Sequence, residues 1–512
     1  MDSTTIKHRG PITFGLMMAT IMSILDTTVV NVSMPHMQGT LSASRDQITW
    51  VVTSYIVATA VMTPVSGWLA SRLGLKTMML GAVAGFTVAS MLCGIASDMT
   101  QMVMFRVLQG MAGAPIAPLC QAVLLNINPP ERYGRATALF MMGNVVAPVA
   151  GPIVGAWLTE SFSWRWCFFI NLPAGISSLV LLGLFLPRET PKPRMFDFLG
   201  FGSLAVTIAS LQLLLDRGPS QDWFNSREIC IEAWTAAGGV WIFLVHTLTT
   251  RHALFDNRIF QNHNFVWTTT LSFFLNMPTM AGITLLPLLM QGLMGYSAMV
   301  SGLVSVPRGM LMMATLVVIG RLDAIIDRRL LVAAGLGFLL LGFWRMTDFS
   351  LLMSTHSIIS AGILQGIGQG MIFVPLSTLA FFTVAPALRP DAAAIMNLVR
   401  NLAGSIGIAV TQALTVFNTQ AMHASLVTHI TPGSLALHDM TSLAHSAHSA
   451  AMLNAEVTRQ ATMVAYVDDF WLMIASVLIC CPMLLLLRAP QTHALSRGVE
   501  ADATPAALEI GP

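Results

Sequence analysis

Fourteen apolar stretches, each long enough to cross a lipid bilayer, dominate this chain of 512 residues. A transmembrane helix needs about 20 mostly apolar residues, and a helix satisfies its backbone hydrogen bonds internally. Only 10% of the residues are charged, against about 25% in soluble proteins, which excludes a soluble enzyme. The sequence therefore predicts an all-α polytopic membrane protein. The predicted spans lie at about residues 12–34, 47–70, 77–96, 100–127, 135–158, 166–186, 197–215, 229–249, 264–290, 298–320, 330–346, 356–384, 393–417 and 466–487.

Lysine and arginine residues are distributed unequally over the connections between these spans. With the N-terminus in the cytoplasm, seventeen of them lie on the inner side, six lie on the outer side, and three fall within spans. Because cytoplasmic loops carry the excess of positive residues, we expect an inner-membrane protein with both termini in the cytoplasm. The basic residues form no long run or face, which argues against nucleic-acid binding.

Motifs in the first half of the chain recur eight spans later. The short basic connection at residues 67–76 is matched at 320–329, and the polar segment at 106–110 is matched at 365–370. Two related six-helix halves with the substrate site between them form the major facilitator fold. The predicted units are an N-terminal six-helix bundle (1–187), a linker with two extra transmembrane helices (188–260), a C-terminal six-helix bundle (261–490) with a long outer loop (418–465), and a cytoplasmic tail (491–512).

One carboxylate, Asp26, lies near the middle of the first span, and it is the only acid that the sequence places clearly at mid-span. An aspartate there costs about 2.5–3.5 kcal/mol on insertion scales, so it must face the protein interior or water. Arg106 lies within span 4, where its guanidinium stays charged and has to pair or line water. Asp26 is one candidate partner. Such a pair favours a proton-coupled transporter, and a purely structural ion pair is the alternative.

Span 5 carries small residues that recur at every fourth position. These residues are Gly143, Ala147, Gly151 and Gly155. Their spacing puts them on one helix face, where a neighbouring helix can approach closely. Pro148 and Pro152 in the same span remove backbone donors, so we expect a kinked helix that acts as a hinge between inward-open and outward-open states. Generic packing of small residues is the alternative.

Further polar residues within the spans are candidates for a central path, because intramembrane polar side chains face the bundle interior or water. These candidates are Asn31, Gln109, Asn144, Arg308, Asn397 and Arg400. In span 13, Asn397 and Asn401 lie three positions before and one after Arg400, which puts three polar side chains close together on the helix. A positively charged path would suit anionic or weakly acidic lipophiles.

These motifs are similar to those of a known family. The chain is identified as a member of the fourteen-span drug:proton antiporters of the major facilitator superfamily, the EmrB/QacA type, from about residue 25 to residue 487. The matching motifs lie at residues 25–35, 106–115, 143–155 and 164–175. In that family the span-1 aspartate and the span-4 arginine are linked to proton transfer, so the resemblance assigns proton coupling to Asp26 and Arg106. The span-5 pattern resembles the antiporter signature of the superfamily, which favours export.

The loop between spans 2 and 3 resembles the gating loop of the same superfamily. Gly67, Arg72 and Gly74 match the pattern, but Ser71 stands where an aspartate usually helps to latch the cytoplasmic gate. The resemblance therefore does not carry that role to Ser71, and we expect a weaker latch or one that uses other partners. A basic loop that serves only membrane orientation is the alternative.

The resemblance implies a proton-coupled secondary transporter that exports lipophilic or drug-like compounds by alternating access. No cofactor or metal is expected, because the proton gradient drives transport. The expected partners are a lipophilic small molecule, protons and membrane lipid. Similar proteins of two-membrane bacteria work with a periplasmic adaptor protein and an outer-membrane channel, for which the outer loop is a natural docking surface. A specialised exporter or an importer with the same fold is the alternative. A membrane-embedded enzyme is less favoured, since the sequence has neither an H-E-x-x-H nor a G-x-S-x-G motif and Asp26 lacks a catalytic partner in sequence.

Overall fold

The computed structural model describes residues 8–129, 132–188, 195–250, 253–323, 325–429 and 447–487. Within these ranges the chain consists of helices and short connections and contains no strand. Fourteen of the helices are long and apolar enough to cross a membrane, which confirms the predicted fold class. The predicted cytoplasmic tail at 491–512 and residues 189–194 of the predicted linker lie outside the described residues.

We number the fourteen long helices in chain order. They are α1 Arg9–Thr40, α2 Gln47–Leu73, α3 Leu75–Ile95, α4 Met99–Ile127, α5 Tyr133–Ser161, α6 Trp166–Phe185, α7 Phe198–Ser220, α8 Arg227–Thr249, α9 His263–Gly292, α10 Met299–Leu322, α11 Arg328–Thr347, α12 Thr355–Phe382, α13 Pro386–Thr428 and α14 Ala451–Leu486. A short helix, Asn257–Gln261, precedes α9. Pro35 lies inside α1 and does not end it, so this helix continues beyond its predicted end.

Local hydrogen bonds and one glycine explain several helix ends. Near the start of α2, the Gln47 amide N–H donates to Ser44 Oγ at 3.2 Å, and the Ser44 N–H donates to Gln47 Oε1 at 2.9 Å, which forms a capping box. Asp98 caps α4 by accepting from the Gln101 N–H at 2.9 Å. Gly74, between α2 and α3, has a φ of 84°. Residues with a side chain rarely adopt this conformation, so glycine permits the tight turn there.

The packing of the helices repeats with a shift of eight. α1 packs against α5 and α6, and α9 packs against α13 and α14. In the same way α2 packs against α4, and α10 packs against α12. Small residues allow the close approaches in both halves, since Gly143 of α5 lies against Ile21 of α1 and Gly404 of α13 lies against Met280 of α9. The repeat that the motifs predicted is therefore present in three dimensions.

The two halves meet along two related pairs of helices. α5 packs against α10, where Gly309 lies against Val149 and Gly320 lies against Ala138. The end of α2 packs against the start of α13. The C-terminal half has a large apolar core of its own, and the core of the N-terminal half continues across the interface to Leu316, Ile319, Leu331 and Val374. Small residues at these contacts allow the helices of the two halves to approach each other closely.

The two extra helices lie beside the bundle. α7 packs against α2 and α13, one helix from each half, and α8 packs against α7. Thr53 of α2 donates a hydrogen bond to Asp216 of α7, and Ser405 of α13 donates to Gln212 Oε1 of α7 at 3.1 Å. In the apolar part of α8 only 17% of the residues are buried. α7 therefore bridges the two halves, and α8 covers its outer side.

The bounds of the predicted outer loop, 418–465, are wrong. Residues 418–428 continue α13, and residues 451–465 belong to α14, so the helices extend well beyond the predicted span ends. In this region α13 and α14 are joined by hydrogen bonds from Asn418 Nδ2 to Asp468 Oδ2 at 3.2 Å and between His423 Nε2 and Asn454 Oδ1 at 2.9 Å. Hydropathy does not detect these turns because they are polar. Residues 430–446 lie outside the described residues.

Candidate functional site

The Asp26 carboxylate is the centre of a buried polar network in the N-terminal half. Its Oδ2 accepts a hydrogen bond from Arg106 Nη1 at 2.6 Å, and its Oδ1 accepts from Gln109 Nε2 and Asn171 Nδ2, each at 2.8 Å. The side chains of Asp26 and Arg106 have no exposed surface. The structure therefore brings together the two residues whose pairing the sequence left open. Because the donors lie on α4 and α6, the carboxylate ties α1 to both helices.

Further contacts fix the position of the Arg106 guanidinium. Its Nε donates to the Val51 carbonyl at 2.8 Å, and its Nη1 also donates to Gln109 Oε1 at 2.8 Å. The guanidinium carbon lies 4.3 Å from the ring centre of Tyr55 and 5.8 Å from that of Phe168. These charge-assisted hydrogen bonds and cation–π contacts offset part of the free-energy cost of removing the ion pair from water.

Asn171, at the start of the continuous part of α6, is a member of the network that sequence reasoning missed. Besides Asp26, its Nδ2 contacts Ser90 Oγ on α3 at 2.9 Å, and Ser90 donates to the Phe168 carbonyl at 2.9 Å. Asn171 lies in one of the segments that resemble the family, which was the available signal. Its 145-residue separation from Asp26 meant that no local spacing could connect the two.

This arrangement can couple the charge of one group to the packing of several helices. An ionised carboxylate only accepts hydrogen bonds, and three side-chain donors supply Asp26. A proton on the carboxyl group would turn one of its oxygens into a donor and remove the negative charge opposite Arg106. Among the described residues, Asp26 is the only acidic partner of Arg106. Protonation would therefore change the contacts that hold α1 against α4 and α6.

The small residues of α5 face α1, as their spacing predicts. Gly143, Ala147, Gly151 and Gly155 are buried. A Cβ atom on Gly151 would overlap the side chain of Thr28, and one on Gly155 would lie 3.2 Å from the Cα of Val29. Thr28 and Val29 follow Asp26 closely in α1, so this helix contact adjoins the network. Pro148 and Pro152 lie inside one unbroken helix, and their role as a hinge stays a prediction.

The candidate gating loop contacts the opposite half of the protein. Gly67 packs so closely against Asp391, in the first turns of α13, that a Cβ atom would overlap its carboxylate. Ser71 Oγ donates to the Trp68 carbonyl at 2.8 Å, and the Arg72 guanidinium lies 5.3 Å from the Trp68 ring centre. The acidic residue at this contact is therefore Asp391 from the other half, whereas the family pattern places an aspartate in the loop itself.

Arg389, two residues before Asp391, makes a second contact between the halves. Its Nη1 donates to the Leu125 carbonyl at 3.0 Å and to Asn126 Oδ1 at 2.9 Å, and its Nη2 donates to the Tyr133 hydroxyl at 2.8 Å. The side chain is buried. Sequence reasoning assigned Arg389 only to the basic inner side. The structure adds that its guanidinium joins the start of α13 to the ends of α4 and α5.

The candidate path residues do not form one cluster. Gln109 belongs to the Asp26 network, Asn31 is exposed, and Asn144 is half-buried. Asn397 Nδ2 lies 3.4 Å from Gln121 Oε1 of α4, so this residue contacts the opposite half. Arg308 lies in α10, where its backbone packs against Gly366 of α12. The six candidates are therefore spread over both halves.

Arg308 and Arg400 place positive charge within the C-terminal half. Neither forms an ion pair with any of the described residues. Arg400 Nη2 donates to Ser377 Oγ at 3.4 Å, and its guanidinium lies 5.8 Å from the Phe373 ring centre. Arg400 also lines a cavity of about 10 Å³, room for about one water molecule, together with polar residues that include Gln369.

A second acidic residue, Asp469, is buried within one of the fourteen long helices. Asp469 is at the middle of α14 and is fully buried. Thr415 of α13 donates a hydrogen bond to its carboxylate. Sequence reasoning began this span at residue 466, which put Asp469 near a membrane surface. The polar residues at 451–465 hid the true extent of the helix.

Two six-helix halves, the first of which contains a buried ion pair, define the class of this protein, a secondary transporter of the membrane. The profile of the Major Facilitator Superfamily matches residues 16–408, and the chain belongs to that superfamily. It is 39% identical to the fatty acid resistance protein FarB of Neisseria gonorrhoeae over 84% of this chain and 85% of FarB. It is 33% identical to the multidrug export protein EmrB of Escherichia coli over 90% of this chain and 91% of EmrB. The predicted family is confirmed.

Solved structures show the same fold at low sequence identity. The proton:xylose symporter XylE superimposes with a TM-score of 0.60 at 13% identity, over 94% of this chain and 96% of XylE. The human organic anion transporter MFSD10 superimposes with a TM-score of 0.58 at 12% identity, over 92% of this chain and 99% of MFSD10. These similarities support the fold and say nothing about the substrate.

Proposed function

We propose that this protein is a proton-coupled antiporter that exports lipophilic compounds by alternating access. The observation that carries the proposal is the fully buried Asp26–Arg106 ion pair with its hydrogen bonds to α4 and α6. Buried ion pairs add little net stability, and ionisable residues inside a membrane protein mark functional sites. The names of the relatives, multidrug export protein and fatty acid resistance protein, support export of lipophilic molecules.

In this proposal Asp26 and Arg106 couple the proton to the movement of the helices. A proton arriving at Asp26 would remove its charge and weaken its hold on Arg106, Gln109 and Asn171. α1 would then be freer to move against α4 and α6. Because α1 packs on the small-residue face of α5, and α5 packs on α10, a shift of α1 would reach the other half. The proton gradient supplies the driving force, and the proposal requires no cofactor.

The proposed substrates are lipophilic compounds that include weak acids. Arg308 and Arg400 add positive charge to the C-terminal half without a described acidic partner, which favours an anionic group on the substrate. The relative FarB, named for fatty acid resistance, is consistent with such a substrate. A specialised exporter of one compound with the same fold is the alternative, and a broad panel of compounds distinguishes the two.

The proposed location is the inner cell membrane with both termini in the cytoplasm. Its support is the excess of lysine and arginine on that side of the spans. The helical extensions of α13 and α14 then project on the outer side, where His423, Asn454 and Asn418 join them. We propose this paired extension as the docking surface for a periplasmic adaptor, which would connect the transporter to an outer-membrane channel.

Inverted membrane vesicles with an acidic interior test the proposed function. The proton gradient is followed by dye quenching while lipophilic cations, weak acids and fatty acids are added to the outside, which is the cytoplasmic face. We expect some of these compounds to dissipate the gradient in vesicles that contain the protein and not in vesicles with Asp26→Asn. Fatty acids carry protons across bilayers by themselves, so protein-free vesicles set the baseline. If correctly folded protein gives no response in inverted vesicles but moves substrate inward in right-side-out vesicles, it is an importer.

A further inference from the structure

A small cavity lies within the C-terminal half, between α9, α11, α12 and α13. Its volume of about 10 Å³ admits one particle of the size of a water molecule, and a site for an organic ligand is far larger. The structure describes all of its lining residues. The polar ones are Ser272, Asn276, Thr279, Gln369 and Arg400, and the others are apolar. The occupant that fits is therefore a water molecule or a monoatomic ion.

Arg400 brings a positive charge to this cavity, and none of the lining residues is acidic. A guanidinium carries five N–H donors. Among the described residues, the Arg400 side chain makes one hydrogen bond, from Nη2 to Ser377 Oγ at 3.4 Å, and belongs to no ion pair. Most of its donors therefore have no acceptor in the part of the protein that the structure describes.

Two further polar groups at the cavity lack a hydrogen-bond partner. Ser272 on α9 and Gln369 on α12 are each only 4% exposed. The Ser272 hydroxyl and Gln369 Nε2 have no partner among the described residues. Nearly all buried polar groups in native proteins are paired, because an unpaired one keeps its full desolvation cost. Unpaired groups from α9 and α12 thus meet the unpaired charge of Arg400 on α13 at one cavity.

What these three groups lack is an acceptor. The amide and guanidinium nitrogens only donate, and a hydroxyl group can donate. The donors of the other two polar residues are already used: Asn276 Nδ2 donates to the Arg400 carbonyl at 2.6 Å. Thr279 Oγ1 donates to the Leu275 carbonyl at 2.7 Å. A water molecule would add two donors and no charge, whereas an anion only accepts hydrogen bonds and also balances a charge that is partly removed from water.

We propose that this cavity binds a chloride ion, held by the Arg400 guanidinium, the Ser272 hydroxyl and Gln369 Nε2. Chloride is a common monoatomic anion of about the size that the cavity admits, and polyatomic anions such as gluconate are too large. Because Arg400 is only half-buried, the ion can enter and leave past its side chain. The bound ion would join α9, α12 and α13. The inference goes beyond the proposed function, since it involves neither Asp26 nor Arg106.

Thermal unfolding of the full-length protein in detergent tests for the ion. Sodium chloride replaces sodium gluconate at constant ionic strength. An ion that binds only the folded protein raises the unfolding temperature as its concentration rises, so we expect an increase with chloride and with bromide. An unfolding temperature that is the same in chloride and in gluconate would overturn the proposal.

Three variants assign the effect to the cavity. Arg400→Gln should weaken the apparent affinity for chloride by at least about tenfold. Ser272→Ala should weaken it several-fold, and it should fold normally because the hydroxyl that it removes has no partner. Thr269→Val is the matched control, since it removes another unpartnered hydroxyl of α9 that does not line the cavity. Equal chloride responses in Ser272→Ala and Thr269→Val would show that chloride acts elsewhere.

Bromide locates the ion directly, because its anomalous X-ray scattering distinguishes it from water. Crystals of the full-length protein grown in bromide should show an anomalous peak within hydrogen-bond distance of Arg400, Ser272 and Gln369. The same crystals of Arg400→Gln should lack it. A cavity that holds only water in bromide, or bromide peaks confined to the protein surface, would overturn the proposal.

These measurements need no transport, so the ion site and the proposed function are tested separately. Asp26→Asn, in which proton exchange should be lost, should keep its response to chloride, because Asp26 lies in the other half. A chloride response in a protein that exchanges no substrate for protons would uphold the ion site and overturn the antiporter. Proton-coupled export without any chloride response would overturn the ion site alone.

Discussion

Arg106 Nη1 lies 2.6 Å from Asp26 Oδ2, and neither side chain has exposed surface. The two residues are 80 positions apart in the sequence, on α4 and α1. Removing one member of such a pair leaves the other charge buried, at a cost of about 3–5 kcal/mol, whereas replacing both is much less costly. The pair therefore has two separable consequences, one for the stability of the protein and one for proton coupling.

Asp26→Asn should abolish substrate-driven proton exchange and lower the free energy of unfolding. The asparagine keeps the shape of the side chain but can neither carry the proton nor balance the charge of Arg106. Exchange is measured as gradient loss in inverted vesicles, and stability is measured by thermal unfolding in detergent. The double variant Asp26→Asn, Arg106→Gln should regain most of the stability and stay inactive. Retained coupling in Asp26→Asn would exclude a role for this carboxylate in proton transfer.

Gly151→Leu should block transport, because α1 and α5 are in contact at this position. Even a Cβ atom on residue 151 would overlap the Thr28 side chain. Overpacking of this kind costs about 1–3 kcal/mol and here falls beside the Asp26 network. Gly337→Leu, at a position with no neighbouring atoms within 4 Å, is the matched control and should stay active. Transport is measured as substrate efflux. If Thr28→Gly partly restores efflux to Gly151→Leu, the defect lies in this contact. If Gly151→Leu alone leaves efflux unimpaired, the α1–α5 contact does not move during transport.

Much of the fold follows from the sequence because membrane spans have a strong local signal. The fourteen apolar runs predict all fourteen long helices, and the four-residue period in α5 predicts its buried face. Each of these features depends on residues that are close in the chain. The short basic connection between the second and third spans is likewise local, and Gly74, with its φ of 84°, makes the turn there.

Long-range polar contacts and polar helix extensions have no such local signal in the sequence. Asn171 reaches Asp26 across 145 residues, and Arg389 reaches Tyr133 across 256, so neither contact has a spacing that the sequence could reveal. The burial of Asp469 was hidden because the start of α14 is polar, although the helix there is continuous. Only the folded arrangement places these side chains against their partners.

Arg389→Gln should shift the protein away from the conformation described here. The arginine joins the two halves through Leu125, Asn126 and Tyr133, and hydrogen bonds to a charged group contribute about 1.5–3 kcal/mol each. Their loss should therefore raise the population of states in which these ends separate. Spin labels at the exposed residues Leu73, at the end of α2, and Phe260, in the short helix before α9, should report longer distances in electron paramagnetic resonance. Arg258→Gln is the control and should leave the distances unchanged. Unchanged distances in Arg389→Gln would show that this contact does not hold the halves together.

Asp323 provides a pH-dependent contribution to stability outside the spans. Burial raises the pKa of the Asp323 carboxyl above its ordinary value of 3.8, and Arg328 opposes this in part. The folded protein then binds this proton more tightly than the unfolded chain, so the contribution present at low pH is lost as the pH rises through the folded pKa. In Asp323→Asn, no carboxyl group titrates at this position, so this contribution to stability does not fall as the pH rises. The unfolding temperature of the variant relative to the unchanged protein should therefore increase as the pH is raised from 3.8. Parallel profiles in a thermal unfolding series would show that Asp323 titrates normally.

Arg400→Gln should change the choice of substrate more than the coupling to protons. Arg400 contacts Ser377 and Phe373 and pairs with no acid among the described residues, so its charge is free to attract an anionic substrate. We expect export of a weak acid to fall at least about tenfold, the effect of losing roughly 1.4 kcal/mol of binding, while export of a lipophilic cation is retained. Arg345→Gln, at an exposed arginine of α11, is the matched control and should affect neither compound. Efflux of both compounds is measured in the same vesicles. An equal loss of both would mean that Arg400 supports the structure of the C-terminal half and does not select the substrate.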